Sequence, residues 1–356
     1  MKIFLSGGGT LGPVTPLLSV VESYRKKNPK TEFVWVGTKE GPEKSIVETY
    51  NIPFYIIGAG KWRRYFSWKN FLDVFKITIA FFQSILLIWK EKPDLLISAG
   101  GFVSVPLHWA GAFLGIPTWI HQQDVVPGLA NRLMAKGATK ITTALEESVK
   151  YFPKNKTEWI GNPTRDLEFS DLSKAKSFFN IPDDAIVIFA LGGGTGSSSI
   201  NSLIAEAISS WPKDWHIIHL TGKDRPGTLA NEGAKIFPNY HVYKFFNAEM
   251  AMAYALAAVV IARAGFGTLT ELASLSKAAI IIPMPQTHQE KNVEFLARNK
   301  GVITLPDGSS GLKLSRIVLD LVRSQEQIQE LGKKLHQLLP KAKDEKIIEI
   351  INELVQ

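Results

Sequence analysis

The sequence predicts an α/β protein of two similar domains, each a parallel sheet covered by helices. Three observations lead there. Short apolar runs alternate with helical patterns through both halves of the 356-residue chain. These runs end in glycine or polar residues, which gathers ligand-binding groups at the carboxyl ends of strands. The periodicity is broken by EWIGNPTRDLEFSD, where glycine, proline and charge mark a hinge with the boundary near Asn162. The expected division is 1–162, 163–340 and a last helical stretch, 341–356, with room to pack back on the first domain.

In chain order, KIFLS (2–6) reads as a strand, PLLSVVESYRKK (16–27) as a helix and EFVWVG (32–37) as the second strand. DLLISAG (94–100), the region around PLHWAGAFLG (106–115) and PTWIHQ (117–122) continue the alternation. The second series is AIVIFALGGGTG (185–196), HIIHLTG (216–222), HVYKFF (241–246), AAVVIARAG (257–265) and AAIIIPMP (278–285). Between the two strands nearest the start of the chain and DLLISAG lies FLDVFKITIAFFQSILLIWKEKPD (71–94). It is uncharged only from Ile77 to Trp89, short of the ~20 residues a bilayer span needs. Just before it, Lys61, Arg63, Arg64 and Lys69 crowd around Trp62, Tyr65, Phe66 and Trp68.

Bulk properties narrow the classes. A hydrophobic fraction of 45% with 21% charged residues describes a globular chain and excludes disorder. With no cysteine, disulfides and thiolate metal sites are excluded, and a reducing compartment fits. The closest histidines, His216 and His219, sit three apart in a strand and so point to opposite faces, which reads as structural rather than metal-binding. A formal charge of +8 favours anionic partners. No charged-then-apolar leader is seen, because glycines interrupt the first apolar run at Gly7, and the chain reads as unexported.

Three glycine-rich elements carry the candidate chemistry. Gly7, Gly9 and Gly12 satisfy G-x-G-x-x-G between a strand and a helix, where backbone amides can approach a phosphate. A dinucleotide site would also place an acid at the end of the second strand, where Gly37 and Thr38 stand. The second loop, from Gly192 to Ser197, also follows a strand, and it lacks the lysine of a nucleoside triphosphate loop. In RAGFGTLTELASL, Gly265, Gly267 and Thr268 open a helix with Glu271 expected in its first turn. Free amides there suit an anion, and the carboxylate suits ribose hydroxyls. Taken singly, each element is equally explained by a packing turn or a stabilising N-terminal acid.

Together, GGTLGPVTP, SAGGFVSVP, HQQDVVPGLANR, GNPTR, LGGGTGSSSIN, RAGFGTLTEL and HQEKN occur in the order and spacing of the MurG family, which the chain resembles over nearly its whole length. The resemblance implies the GT-B fold, two Rossmann-like domains facing each other across a cleft. It implies an inverting, metal-independent transfer of N-acetylglucosamine from UDP-N-acetylglucosamine to undecaprenyl-linked muramoyl-pentapeptide, without a cofactor and with no role for nucleic acid. Another lipid glycosyltransferase of that fold, of the diacylglycerol type, and a UDP-sugar epimerase are the alternatives.

By the same resemblance, Arg165 and the loop Gly193, Gly194, Thr195, Gly196 and Ser197 would face the donor diphosphate, with Gly267 and Thr268 at the helix start. The backbone near Asn247 would read the uracil, Glu271 would hold the ribose, and Gln289 and Asn292 would bind sugar hydroxyls. Gly8, Gly9, Thr10, Leu11, Gly12 and Pro13 would lie near the acceptor pyrophosphate, with His121, Gln123 and Asp124 lining the cleft and His121 and Asp124 as the catalytic pair. Family members often carry histidine where this chain has Pro13 and asparagine where it has Asp124. The base is therefore reassigned to Asp124, since a partly desolvated carboxylate is a competent general base. A lipid-anchored acceptor further implies a peripheral enzyme on the cytoplasmic face of an anionic membrane. Trp62, Arg63, Arg64, Tyr65, Phe66 and Trp68 would meet the headgroups.

Overall fold

The computed structural model describes residues 1–58, 69–193, 196–223, 225 and 228–356. The chain divides into two compact units, Met1–Arg165 with Lys341–Gln356, and Asp166–Pro340.

Unit 1 contains β1 (Lys2–Ser6), α1 (Val14–Lys27), β2 (Glu32–Gly37), α2 (Glu43–Thr49), β3 (Phe54–Ile56), α3 (Lys69–Glu91), β4 (Leu95–Ser98), α4 (Ser104–Phe113), β5 (Thr118–Gln122), α5 (Leu129–Ala135), β6 (Lys140–Thr143) and β7 (Thr157–Trp159). Its seven strands are all parallel, in the order β3-β2-β1-β4-β5-β6-β7. The chain thus builds outward from β1 in one direction and then returns to build in the other. The switch falls between β1 and β4, where Ile3 pairs with both Phe33 and Leu95. Strands buried on both faces must be continuously apolar, and KIFLS, LLIS and TWIHQ are correspondingly enclosed.

Unit 2 contains α6 (Leu172–Phe179), β8 (Val187–Leu191), α7 (Ser198–Ala207), β9 (His216–Leu220), α8 (Thr228–Ile236), β10 (Tyr240–Tyr243), α9 (Glu249–Leu256), β11 (Val259–Arg263), α10 (Phe266–Ser274), β12 (Ala279–Ile282), α11 (His288–Arg298), β13 (Ile303–Thr304), α12 (Gly311–Val322) and α13 (Gln325–Leu338). Its parallel order is β10-β9-β8-β11-β12-β13, so the same switch recurs between β8 and β11. Both glycine loops therefore leave a central strand at the switch point, the place where open parallel sheets bind ligands.

The last helix, α14 (Asp344–Val355), belongs to unit 1. Its buried face, Ile347, Ile350 and Ile351, joins the core formed by Trp35, Tyr24 and Trp119. Ser23 donates to Asp344 Oδ1 at 2.7 Å, Tyr24 donates to Asn352 Oδ1 at 2.7 Å, and the Ala342 N–H donates to the Asn162 carbonyl at 3.0 Å.

Helix α3 is apolar on two sides. Ala80, Ser84 and Ile88 are buried at i, i+4, i+8 spacing and face the core that holds Leu107 and Ala110 of α4. On the opposite side Ile79, Phe82, Leu86 and Trp89 are exposed, Trp89 to 76%. Phe113 at the end of α4, 74% exposed, lies edge-on to Phe81 at 6.3 Å and extends this apolar surface. Among the described residues no helix is long and apolar enough to cross a membrane. The basic aromatic run Trp62, Arg63, Arg64, Tyr65, Phe66 and Trp68 lies outside the described residues.

Candidate functional site

In unit 1, the loop from Gly7 to Pro13 leaves β1 and enters α1, with Pro13 as the residue before the helix. Gly9 adopts φ +81°, which favours glycine, and this turns its N–H inward to Glu43 Oε2 at 3.2 Å. The other carboxylate oxygen of Glu43 accepts from the Thr38 N–H at 2.8 Å and from the Thr38 hydroxyl at 2.5 Å. The loop after β4 runs alongside: a Cβ on Gly101, itself at φ +94°, would lie 3.1 Å from the backbone of Gly8. Ser104 donates across to the Ser6 carbonyl at 3.0 Å.

The end of β5 supplies the remaining candidates. Gln123 donates through Nε2 to the Gly12 carbonyl at 3.0 Å, and its buried Oε1 has no hydrogen-bond partner among the described residues. Asp124 is half-buried, and its carbonyl is held by Gln122 Nε2 at 2.7 Å and the Ser148 hydroxyl at 3.2 Å. His121 does not line an open surface as expected. It is fully enclosed, with Nδ1 2.8 Å from Thr142 Oγ1 and Nε2 2.8 Å from Asn162 Oδ1. Burial lowers its pKa to about 4, with the Asn162 bond opposing the shift, so the ring stays neutral. Both ring nitrogens are taken up within unit 1, by Thr142 of the neighbouring strand β6 and by Asn162 after β7.

In unit 2, the loop after β8 carries Gly193 at φ +81° and Gly196 at φ +75°; Gly194 and Thr195 lie outside the described residues. Ser197 caps α7, accepting from the Ile200 N–H at 3.3 Å and from Arg263 Nε at 2.9 Å. Its hydroxyl oxygen is thus engaged within the fold. Arg263, at the end of β11, is buried. It ties three segments together: Ser197, the Ile282 and Pro283 carbonyls at 3.3 Å each, and Asp307 Oδ1 at 2.9 Å, an oxygen that also accepts from Ser199.

Helix α10 begins at Phe266, which moves Glu271 from the expected first turn to the second. There it is buried and accepts from the Tyr254 hydroxyl at 3.0 Å, while half-buried Gly267 and Thr268 occupy the first turn. Gln289 is half-buried and its Oε1 accepts from the Met284 N–H at 3.0 Å; Asn292 is buried. Neither is a plain exposed polar residue. The Asn247 N–H donates to Glu249 Oε2 at 3.0 Å. Arg165 falls in unit 1 rather than with the donor residues it was grouped with, because the division lies three residues beyond Asn162.

His219 bridges Asn201 Oδ1 at 3.1 Å and the Tyr240 hydroxyl at 2.5 Å, whereas His216 stacks on His241 with a 2.9 Å contact between ring nitrogens. Two buried charged residues beside these loops escaped the sequence reading. Glu43 looks like an ordinary acid at a helix start, and only its enclosure by Gly8, Gly37 and Gly41 distinguishes it. Arg263 sits inside the RAGFGTLTEL motif, and a charge at the end of a buried apolar strand was the signal available.

Comparison with known proteins places this geometry. Residues 3–143 match the glycosyltransferase family 28 N-terminal domain, and residues 187–349 its C-terminal domain. A UDP-N-acetylglucosamine--N-acetylmuramyl-(pentapeptide) pyrophosphoryl-undecaprenol N-acetylglucosamine transferase of Legionella pneumophila (strain Paris) is 34% identical, covering 99% of this chain and 96% of its own. The chain belongs to the MurG glycosyltransferases. A MurG relative of the same name from Clostridium perfringens (strain 13 / Type A) is 38% identical over 80% of this chain and 78% of its own. Acinetobacter baumannii MurG shares the fold with a TM-score of 0.78 at 24% identity, covering 99% of both chains. The UDP-GlcNAc 2-epimerase of Neisseria meningitidis bound to UDP-GlcNAc shares it with a TM-score of 0.68 at 14% identity over 99% of each chain, a likeness of fold alone.

Proposed function

We propose that the chain transfers N-acetylglucosamine from UDP-N-acetylglucosamine to the 4-hydroxyl of the muramoyl sugar in undecaprenyl-pyrophosphoryl-MurNAc-pentapeptide. The observation that carries this reading is the near full-length similarity to the Legionella transferase, whose name states that donor and acceptor. The acceptor oxygen bonds the anomeric carbon as the bond from that carbon to the UDP β-phosphate breaks. The electron pair leaves with UDP, the hydroxyl proton passes to a base, and configuration inverts. In unit 2, the first-turn amides of α10 and the loop containing Gly193 and Gly196 stabilise the departing charge. Glu271, oriented by Tyr254, holds the ribose, and Gln289 and Asn292 address the sugar.

A transfer assay with radiolabelled UDP-N-acetylglucosamine and purified lipid-linked muramoyl acceptor, run beside diacylglycerol, tests this. Label in the muramoyl lipid supports it; label in diacylglycerol, or recovered only as epimerised UDP-sugar, overturns it.

In the same reading Asp124 is the base, half-buried beyond β5 on a backbone pinned by Gln122 and Ser148. Asp124→Ala is expected to lower kcat about 10²–10⁴-fold with donor KM nearly unchanged. A kcat close to wild type removes Asp124 from the role.

The chain also works, in this reading, as a peripheral protein at the cytoplasmic surface of an anionic membrane. What supports it is the exposed side of α3, Ile79, Phe82, Leu86 and Trp89, beside a basic aromatic run in the sequence. Burying one such side chain contributes about 1.5–3 kcal/mol. The double variant Phe82→Ser/Trp89→Ser is therefore expected to reduce flotation with phosphatidylglycerol vesicles by at least about tenfold. Charge reversal at Arg63 and Arg64 tests the basic run separately, and undiminished flotation of both variants excludes this surface.

A further inference from the structure

We propose that Glu43 is a positioning residue that sorts the amides of the first glycine loop, spending one inside the protein and aiming the next three at the acceptor. This rests on the reading above, in which that loop meets the acceptor's pyrophosphate. The carboxylate is fully buried, an unusual place for a charge. Both oxygens are occupied, one by the Thr38 N–H and hydroxyl, the other by the Gly9 N–H. Such charge-assisted bonds to backbone donors are among the stronger ones available.

Three glycines make room for it. A Cβ on Gly8 would lie 2.3 Å from Glu43 Oε1, one on Gly41 1.9 Å from Oε2, and one on Gly37 3.3 Å from Oε1. Glycines from the loop after β1, the end of β2 and the loop after it thus converge on a single carboxylate. The result differs from a plain phosphate cradle, in which every loop amide would face the ligand. At Gly9, φ +81° turns the N–H inward, and Phe102 closes over that glycine, 2.7 Å from where a Cβ would be. The N–H groups of Thr10, Leu11 and Gly12 have no partner among the described residues, and Thr10 and Gly12 are exposed. Pro13 then ends the series, having no N–H to offer. Glu43 fixes where the inward amide stops and the outward ones begin, and so where the acceptor phosphates sit.

The test uses the full chain and the variants Glu43→Gln, Glu43→Ala and Gly12→Val. Gln keeps the size of Glu, but its NH₂ must face either the Gly9 or the Thr38 N–H, setting donor against donor. Hydrogen–deuterium exchange over residues 6–13 is expected to speed up about tenfold or more in Glu43→Gln. Acceptor KM is expected to rise about tenfold while donor KM stays within about twofold, a split that general loss of structure does not produce. Gly12→Val, where a Cβ would make only an ordinary contact with Thr10 Oγ1 at 3.8 Å, reports independently whether the loop meets the acceptor. Unchanged exchange in Glu43→Gln overturns the tether. Faster exchange with unchanged acceptor KM, while Gly12→Val raises that KM, overturns the positioning role and leaves the functional reading standing. If Gly12→Val also leaves acceptor KM unchanged, the reading of the loop fails. Should Glu43→Ala not fold, Glu43→Gln carries the test alone.

Discussion

Replacing Arg263 by methionine is expected to cost unit 2 about 3–5 kcal/mol and to weaken UDP binding about tenfold or more. Methionine fills much of the same space, so the loss measures the guanidinium rather than a cavity. Without it Asp307 keeps Ser199 as its partner but loses its cation, the Ile282 and Pro283 carbonyls lose a donor, and the Ser197 cap loses its anchor. The Ser197 effect reaches the ligand, since Ser197 ends the glycine loop and starts α7. For a unit of this size, each kcal/mol shifts Tm by about 2–4 °C. Calorimetry should therefore show a fall of about 6–20 °C in the unit 2 transition alone. A double-mutant cycle with Asp307→Ala isolates the ion pair, and a coupling near zero would assign the loss to the carbonyl and Ser197 bonds.

Mild acid is expected to destabilise both units. Burial lowers the pKa of His108 to about 3, of His121 to about 4 and of His219 to about 3, against an ordinary 6.5. The native rings stay neutral while the unfolded chain takes up protons below about pH 6.5. Their contribution is fully present above that pH and is lost as pH falls toward the native values. Each histidine gives a slope of about 1.4 kcal/mol per pH unit. Unit 1 holds two of these, so between pH 6 and 5 it should lose about 2.7 kcal/mol from them; unit 2 should lose about 1.4 kcal/mol from His219 and a further share from His216 and His241, whose pKa values burial also lowers. Hydrogen-bonded carboxylates add a second phase at lower pH, opposed by their burial. Glu158 and Asp344 have depressed pKa values, net of burial, through hydrogen bonds to Lys346 and Lys140, and to Ser23 and Lys26, so their share is lost as those carboxylates protonate.

His108 isolates the effect, because both of its buried ring nitrogens lack partners among the described residues and its replacement breaks no hydrogen bond there. His108→Phe is expected to hold or raise stability at pH 7 and to halve the unit 1 slope, read from urea midpoints at pH 7, 6 and 5. An unchanged slope would mean that His108 is not the proton-refusing group.

The parts of this fold that were legible in the sequence were those where local pattern and tertiary role agree. β1, β2, β4, β5, β8, β9, β11 and β12 are apolar runs because they are enclosed on both faces, and burial is what the pattern records. The strands that escaped notice, β3, β6, β7 and β13, have two to four residues, too few to establish a period. Membership of the MurG glycosyltransferases was legible from motif order, because several loops must share one spacing. What a motif does not disclose is which way each polar group turns. His121 reads as a cleft residue until Thr142 and Asn162 take both its nitrogens, and Glu271 lies one turn deeper than its glycine neighbours suggest. Glu43 and Arg263 act across 34 and 66 residues, on Gly9 and Ser197, and no local window relates them.

The return of α14 to unit 1 makes unit 2 an insertion, entered after Arg165 and left before Lys341. On the ribosome, the first unit must therefore wait for the last helix to emerge, with the apolar side of α1 and the indole of Trp35 lacking their final cover. The second unit has no such dependence and is complete while its neighbour is still unfinished. The nascent chain therefore matures from the middle outward, and the first residues synthesised are among the last to be sealed.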